Sequence, residues 1–151
     1  MSYQSHEVYM RRAYEQALKG YNEGGCPIGG VIVDNETGKV LGEGHNALVQ
    51  EGNPIIHGEM AAMRAAGRMT TRRGTTMYTS LSPCMMCAGT IVQFKIQRVV
   101  VGDTVNSPGN VDFLRERGVE VIVLDDPSCV GLCKKFIEEK PDLWLEDWGG
   151  A

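Results

Sequence analysis

The chain has 151 residues, of which 42% are hydrophobic and 23% are charged, as in an ordinary globular protein. This length fits a single domain over residues 1–151, large enough to form a core without disulfide bonds. No apolar run approaches the roughly 20 residues of a membrane span, and the first twenty residues lack the apolar centre of a signal peptide. These features argue against a membrane protein and predict a cytoplasmic location.

The five cysteines and the formal net charge of −4 argue against two further classes of protein, disulfide-stabilised proteins and nucleic-acid-binding proteins. In a cytoplasmic chain, an odd number of cysteines predicts thiols or metal ligands rather than a disulfide framework. The negative charge argues against a nucleic-acid partner, because neutralisation of phosphates supplies most of the affinity of such proteins. Arg64, Arg68 and Arg72 recur at helical spacing, and we expect them on a solvated helix face.

The first half of the chain predicts two helices around a β-hairpin. Apolar residues at helical spacing indicate a first helix that ends at Gly24-Gly25. Two short β-rich runs follow, at 28–34 and 39–45, and the turn between them is typical of a hairpin. After a break at Asn53-Pro54, a second helix is predicted over 58–69.

The second half alternates strands and helices. Strands are predicted at 76–81, 97–102 and 119–125, and helices from Ser82-Pro83, near 112–117 and over 128–140. We expect Pro83 within the first turn of its helix, where proline is tolerated best. Alternation after an initial hairpin predicts an α/β fold, a three-layer α/β/α sandwich around a five-stranded mixed sheet.

Two short motifs contain the candidate metal ligands and the candidate proton carrier. Cys84 and Cys87 are three residues apart at a predicted helix start, so their sulfur atoms are expected on one face. The free N–H groups at that end favour the thiolate form that a metal ion needs. His57 would complete three protein ligands, and catalytic zinc sites keep a fourth position open for water. The motifs therefore predict a catalytic Zn²⁺ site.

Glu59 is the predicted proton carrier beside that site. Because His57 and Glu59 are two residues apart, their side chains converge only where the chain enters the helix and its backbone is not yet helical. The pattern H-x-E followed by P-C-x-x-C is typical of zinc deaminases, in which the glutamate is not a ligand. The alternative is a chance H-x-E next to a structural or redox cysteine pair.

Beyond these motifs the sequence resembles the fungal-type cytosine deaminases, members of the cytidine deaminase superfamily. The resemblance extends from about Tyr14 to Gly149. It rests on the segments GYNEGGCPIGG (20–30), VLGEGHN (40–46), HGE (57–59), TSLSPCMMC (79–87), VVVGD (99–103) and WLEDWGG (144–150).

The resemblance implies hydrolytic deamination of a free nucleobase, cytosine to uracil and ammonia, by zinc-activated water. It implies that Asn46 hydrogen-bonds the base ring and that the Gly58 N–H holds the base carbonyl. Asp147 would lie behind His57 and meet the exocyclic amine, and Trp144 would cover the pocket. The tail, residues 141–151, would then be a lid, and the assembly a homodimer.

Ser107 departs from the family pattern, because the fungal enzymes have an aromatic lid residue at that position. Another amino-heterocycle, such as isocytosine, guanine or another purine, therefore stays an alternative substrate. A tRNA adenosine deaminase with the same metal motif is a second alternative, and a non-catalytic, zinc-stabilised binding module is a third. Cys129 and Cys133 are expected as buried apolar residues, and Cys26 receives no role.

Overall fold

The computed structural model describes residues 3–150. Within this range the chain forms one five-stranded mixed sheet. Its strands are β1 (Gly29–Asp34), β2 (Val40–His45), β3 (Thr75–Thr79), β4 (Arg98–Val101) and β5 (Glu120–Val123). Their order across the sheet is β2-β1-β3-β4-β5. Strand β1 is antiparallel to both of its neighbours, whereas β3, β4 and β5 run parallel.

Seven helices accompany the sheet within the described residues. They are α1 (Tyr3–Asn22), α2 (Leu48–Glu51), α3 (Gly58–Ala66), α4 (Met85–Gln93), α5 (Val111–Glu116), α6 (Pro127–Glu139) and α7 (Pro141–Glu146). Helices α3, α4 and α5 pack on one face of the sheet, and α1 and α6 pack on the other. The predicted three-layer α/β/α sandwich is confirmed.

Side chains alternate between the two faces along each strand, as the period of two in a strand requires. In β4, Val99 and Val101 join the cluster beneath α3, α4 and α5, while Val100 joins the cluster beneath α1 and α6. Met77 and Tyr78 of β3 divide in the same way. All of these side chains are fully buried, so the sheet is covered on both faces.

Glycines bring helix α3 close to the sheet. A Cβ atom on Gly30 would lie 2.6 Å from the carbonyl oxygen of Gly58, and one on Gly58 would lie 2.8 Å from the oxygen of Ile28. Such distances exclude any side chain at either position. This close backbone approach places the start of α3 directly against β1.

Several predicted boundaries are wrong by a few residues. The second predicted helix ends at Ala66 rather than at 69, because Gly67 adopts a positive φ of 74° at its C-cap. Pro83 precedes the N-cap of α4 instead of lying in its first turn. Arg72 therefore lies beyond the helix, buried over the Phe94 ring, rather than on a solvated helix face.

The predicted domain bounds, residues 1 and 151, lie outside the described residues, as does the last residue of the predicted lid. Between residues 3 and 150, no helix has both the length and the apolar character needed to cross a membrane.

Candidate metal centre and active site

Two helices begin at the predicted metal ligands. His57 is the N-cap of α3 and Cys84 is the N-cap of α4, and both have extended backbone angles, with ψ of 168° and 173°. Glu59 and Cys87 follow within the first turns of these helices. The extended N-cap is the irregular helix entry that convergence of His57 and Glu59 requires, since residues two apart diverge in a regular helix.

His57, Cys84 and Cys87 form a cluster suited to a metal ion. One ligand atom from each lies within 4.8 Å of the other two, and Cys84 Sγ is 3.4 Å from His57 Nδ1. Ligand atoms of a tetrahedral zinc ion lie roughly 3.5–3.8 Å apart, given Zn–S of about 2.3 Å and Zn–N of about 2.0–2.1 Å. Two sulfurs and one imidazole nitrogen are a donor set that zinc prefers, so the residues fit the ion.

The electrostatics of the cluster favour a thiolate at Cys84. Hydrogen bonding from Cys87 and from His57 outweighs burial and lowers the pKa of Cys84 to about 4. Burial would lower the pKa of His57, but its hydrogen bond with Cys84 and the charges of Asp147 and Glu59 raise that pKa to about 9. The hydrogen bond with Cys84 and burial raise the pKa of Cys87 well above its ordinary value. Because a metal ion needs deprotonated ligands, its binding here would release the protons of His57 and Cys87.

Glu59 is buried beside the cluster, with 4% of its surface exposed. Burial and the nearby charge of Cys84 raise its pKa to about 7, against the opposing effect of His57. A carboxyl group with this pKa is divided between its two protonation states near neutral pH. It is therefore suited both to accept and to deliver a proton.

The far side of the His57 ring faces the C-terminal tail. His57 Nε2 lies 3.6 Å from Asp147 Oδ1, and the Asp147 side chain is 3% exposed. Asn46 Nδ2 donates to both Asp147 oxygens, at 3.1 and 3.0 Å, while Asn46 Oδ1 accepts from Leu48 N. The carboxylate thus lies behind an imidazole whose other nitrogen faces the metal cluster, an arrangement that orients metal-binding histidines.

Trp144 and Gly58 complete the predicted set. Trp144 is buried in α7 and packs with Ile28, Leu81 and Phe136, whereas Trp148 is 37% exposed. Gly58 is the first residue of α3, so its N–H has no partner within the helix. The structure thus brings the segments that carry all eight predicted site residues to one end of the sheet.

Two groups near this site were not predicted from the sequence. Cys26 is buried beside Asp147, and burial together with that carboxylate raises its pKa well above the ordinary value. Ser82, in the turn before Cys84, donates from Oγ to the Ser107 carbonyl at 2.5 Å. Cys129 and Cys133 are buried, as predicted. Nothing in the sequence marks Cys26, because a cysteine among apolar residues is usually part of the core.

Comparisons with known proteins agree with this geometry. Residues 3–103 match the family described as the cytidine and deoxycytidylate deaminase zinc-binding region. A cytosine deaminase of Candida albicans is 49% identical over 91% of this chain and 92% of its own length. A tRNA-specific adenosine deaminase of Buchnera aphidicola is 33% identical over 72% of each chain. The structure of guanine deaminase from Bacillus subtilis is similar with a TM-score of 0.61 and 27% identity, covering 94% of this chain and 78% of that one.

Proposed function

Because the chain belongs to the cytidine and deoxycytidylate deaminase family, whose members bind zinc, we propose that it hydrolyses cytosine to uracil and ammonia. The observation that carries this proposal is the cluster of His57, Cys84 and Cys87 with a buried carboxyl group, Glu59, beside it. Similarity over nearly the whole chain to a cytosine deaminase supports cytosine as the base.

We assign His57 Nδ1 and the sulfur atoms of Cys84 and Cys87 as the zinc ligands. When bound there, zinc supplies a Lewis acid that activates water as the nucleophile. Three protein donors would leave a coordination position free, as in catalytic rather than structural zinc sites. Asp147 would hold the His57 ring in place from its other nitrogen.

Glu59 is the proposed proton carrier. It accepts a proton from the attacking water and delivers it to the ring nitrogen next to the reacting carbon. The water oxygen bonds to the reacting carbon, and the remaining proton of this new hydroxyl group passes through Glu59 to the exocyclic amine. The carbon–nitrogen bond then breaks, which releases ammonia and leaves a carbonyl on the ring. The pKa of about 7 suits a group that must alternate between these two states.

Four residues are the proposed substrate contacts. The NH₂ group of Asn46 donates to both Asp147 oxygens and its Oδ1 accepts from Leu48 N, so the remaining lone pair of Oδ1 would bind the edge of the base. The unpartnered Gly58 N–H would meet the base carbonyl, and Asp147 would accept from the exocyclic amine. Trp144, held in the core by α7, would cover the ring and exclude water.

A free base fits this site better than a base within tRNA. His57, Glu59 and the Asp147 side chain are all more than nine-tenths buried, beneath a tail whose helix α7 includes Trp144. A site buried in this way suits a small base, whereas tRNA needs an open, basic surface. The net charge of −4 also disfavours a polyanion.

We place the enzyme in the cytoplasm, in pyrimidine salvage, and expect a homodimer.

Ammonia release from a panel of amines tests the proposal. The zinc-loaded protein is incubated with cytosine, 5-substituted cytosines, isocytosine, guanine, adenine, cytidine, and a tRNA that carries the target adenosine. Protein stripped of metal by a chelator, and the same protein after zinc is restored, are the controls. We expect ammonia and uracil from cytosine, loss of turnover in stripped protein and recovery on reloading.

Other outcomes would redirect the assignment. Faster release from guanine or isocytosine than from cytosine would contradict the substrate, while leaving the chemistry intact. Conversion of adenosine in tRNA without activity on free bases would favour the tRNA-specific alternative. Unfolding of the stripped protein, together with no ammonia from any compound, would indicate a structural zinc module.

A further inference from the structure

The segment of residues 103–110, called the clamp loop below, follows β4 and packs against the turn of residues 81–84 that leads to Cys84. Three hydrogen bonds join the two segments. Ser82 N donates to the Asp103 carbonyl at 2.9 Å and Ser82 Oγ donates to the Ser107 carbonyl at 2.5 Å. Asn110 Nδ2 donates to the Pro83 carbonyl at 3.0 Å. Ser82 and Pro83 are therefore hydrogen-bonded to the clamp loop, and Cys84 is the next residue in the chain.

The two segments are also in tight contact. Gly109 has a φ of 59°, and a Cβ atom there would lie 2.3 Å from Ser82 Oγ and 3.1 Å from the Pro83 carbonyl oxygen. No side chain fits at this position without displacing the turn. A shift of the clamp loop is therefore expected to move the turn that carries Cys84.

A buried carboxylate sets the shape of the clamp loop. Asp103 is 0% exposed, and its Oδ1 accepts from Val105 N at 2.8 Å and from Asn106 N at 3.1 Å. Its Oδ2 accepts from Asn106 Nδ2 at 2.7 Å, and the same amide donates to the Val130 carbonyl in α6 at 3.0 Å. Because a buried charge is stable only when hydrogen-bonded, these three donors hold the loop in one conformation.

We propose that Asp103 is a positioning residue of the metal centre, which sets the place of the Cys84 sulfur through the clamp loop and the turn of residues 81–84. This inference rests on the proposed zinc ligands but assigns a role to residues that do not touch the ion. Groups that orient metal ligands typically change metal affinity about 10–100-fold when removed. We expect the same of Asp103.

The substitution Asp103→Asn removes the interaction while keeping the side-chain shape. The new NH₂ group would face the NH₂ group of Asn106, so two donors would oppose each other in a buried site. Asp34→Asn is the matched control. The Asp34 carboxylate also accepts a backbone N–H, from Glu36 at 2.9 Å, but Asp34 is the last residue of β1, outside the clamp loop.

The experiment measures zinc affinity by competition with a chromophoric chelator, and the ligand field by absorption of the Co²⁺-substituted protein. Circular dichroism verifies that each variant is folded. We expect Asp103→Asn to weaken zinc binding about 10–100-fold and to shift the Co²⁺ bands, with Asp34→Asn unchanged. Ser82→Ala should weaken binding as well, and should add little to Asp103→Asn, because both act on one connection.

Wild-type zinc affinity and an unchanged Co²⁺ spectrum in folded Asp103→Asn would overturn the positioning role. If that variant does not fold, Ser82→Ala and Gly109→Ala test the same connection, and wild-type affinity in both would overturn it equally. If the unmodified protein binds no zinc, the proposed metal centre itself fails. That result is distinguishable from a failure of the clamp loop alone.

Discussion

Glu59 combines burial with proximity to the three proposed metal ligands, and its pKa of about 7 follows from that environment. Because it is a proton carrier rather than a ligand in the proposed mechanism, Glu59→Gln should preserve the metal centre. We predict a fall in kcat of about 10²–10⁴-fold, with wild-type zinc content by elemental analysis. Full turnover in this variant, or loss of its zinc, would contradict the assignment.

His6 carries a separate pH effect, on stability. Its Nδ1 lies 2.7 Å from the Tyr78 hydroxyl in a buried contact, and burial together with the positive charge of Arg98 lowers its pKa below 6.5. The unfolded chain therefore binds a proton at a higher pH than the folded chain. The contribution of neutral His6 is complete above pH 6.5 and is lost as the pH falls below that value.

His6→Asn tests this sign, because asparagine retains a hydrogen-bonding group but does not titrate. We expect the difference in free energy of unfolding between wild type and variant to be largest near pH 8 and to shrink towards pH 5. Urea unfolding at a series of pH values measures it. A difference that grows on acidification would show that the wild-type imidazole is stabilised in its charged form.

At the scale of elements, the contact between β1 and α3 depends on the absence of side chains. Gly30→Ala would place a methyl group 2.6 Å from the Gly58 carbonyl oxygen, and we predict a loss of about 1–3 kcal/mol in free energy of unfolding. Gly131→Ala is the control, because nothing lies within 4 Å of its Cβ position in α6. It should stabilise the protein by about 0.5–1 kcal/mol. Equal effects of the two substitutions in denaturant titrations would contradict the close packing.

Helix α7 packs against the core through the buried Trp144 and the partly buried Leu143. Trp144 is 8% exposed in a cluster with Phe136 and Leu81, while Trp148 is 37% exposed. We predict that Trp144→Ala lowers the free energy of unfolding by about 3–5 kcal/mol and raises KM for cytosine, because the proposed pocket cover is lost. Trp148→Ala should change both quantities much less. Equal changes from the two substitutions would argue against a specific role for Trp144.

At the scale of the whole molecule, periodicity and turn residues were sufficient to predict the five strands and the three layers. The metal cluster was predictable because its ligands lie in two short motifs at helix starts. Helix ends were less predictable. Arginine and methionine at 68 and 69 favour a longer helix, but Gly67 has a positive φ of 74° and a ψ of −160°, outside the helical region, and α3 ends there.

Residues whose roles depend on tertiary packing could not be identified from the sequence. The bonds of Asp103 to Val105 and Asn106 are local, but nothing in the sequence indicates that its carboxylate is fully buried or that the clamp loop packs on the turn before Cys84. Cys26 and Asp147 are more than a hundred positions apart, and only folding of the tail brings them together. Such pairs leave no periodic pattern and no local motif.

X-ray absorption at the zinc edge of the purified protein tests the central claim most directly, because it counts the atoms around the ion. For one zinc per chain, we predict two sulfur atoms at about 2.3 Å, one imidazole nitrogen at about 2.0–2.1 Å and one further oxygen atom. This pattern is that of a three-ligand centre with a position open for water. Four protein ligands, or a shell without sulfur, would contradict a catalytic site at His57, Cys84 and Cys87.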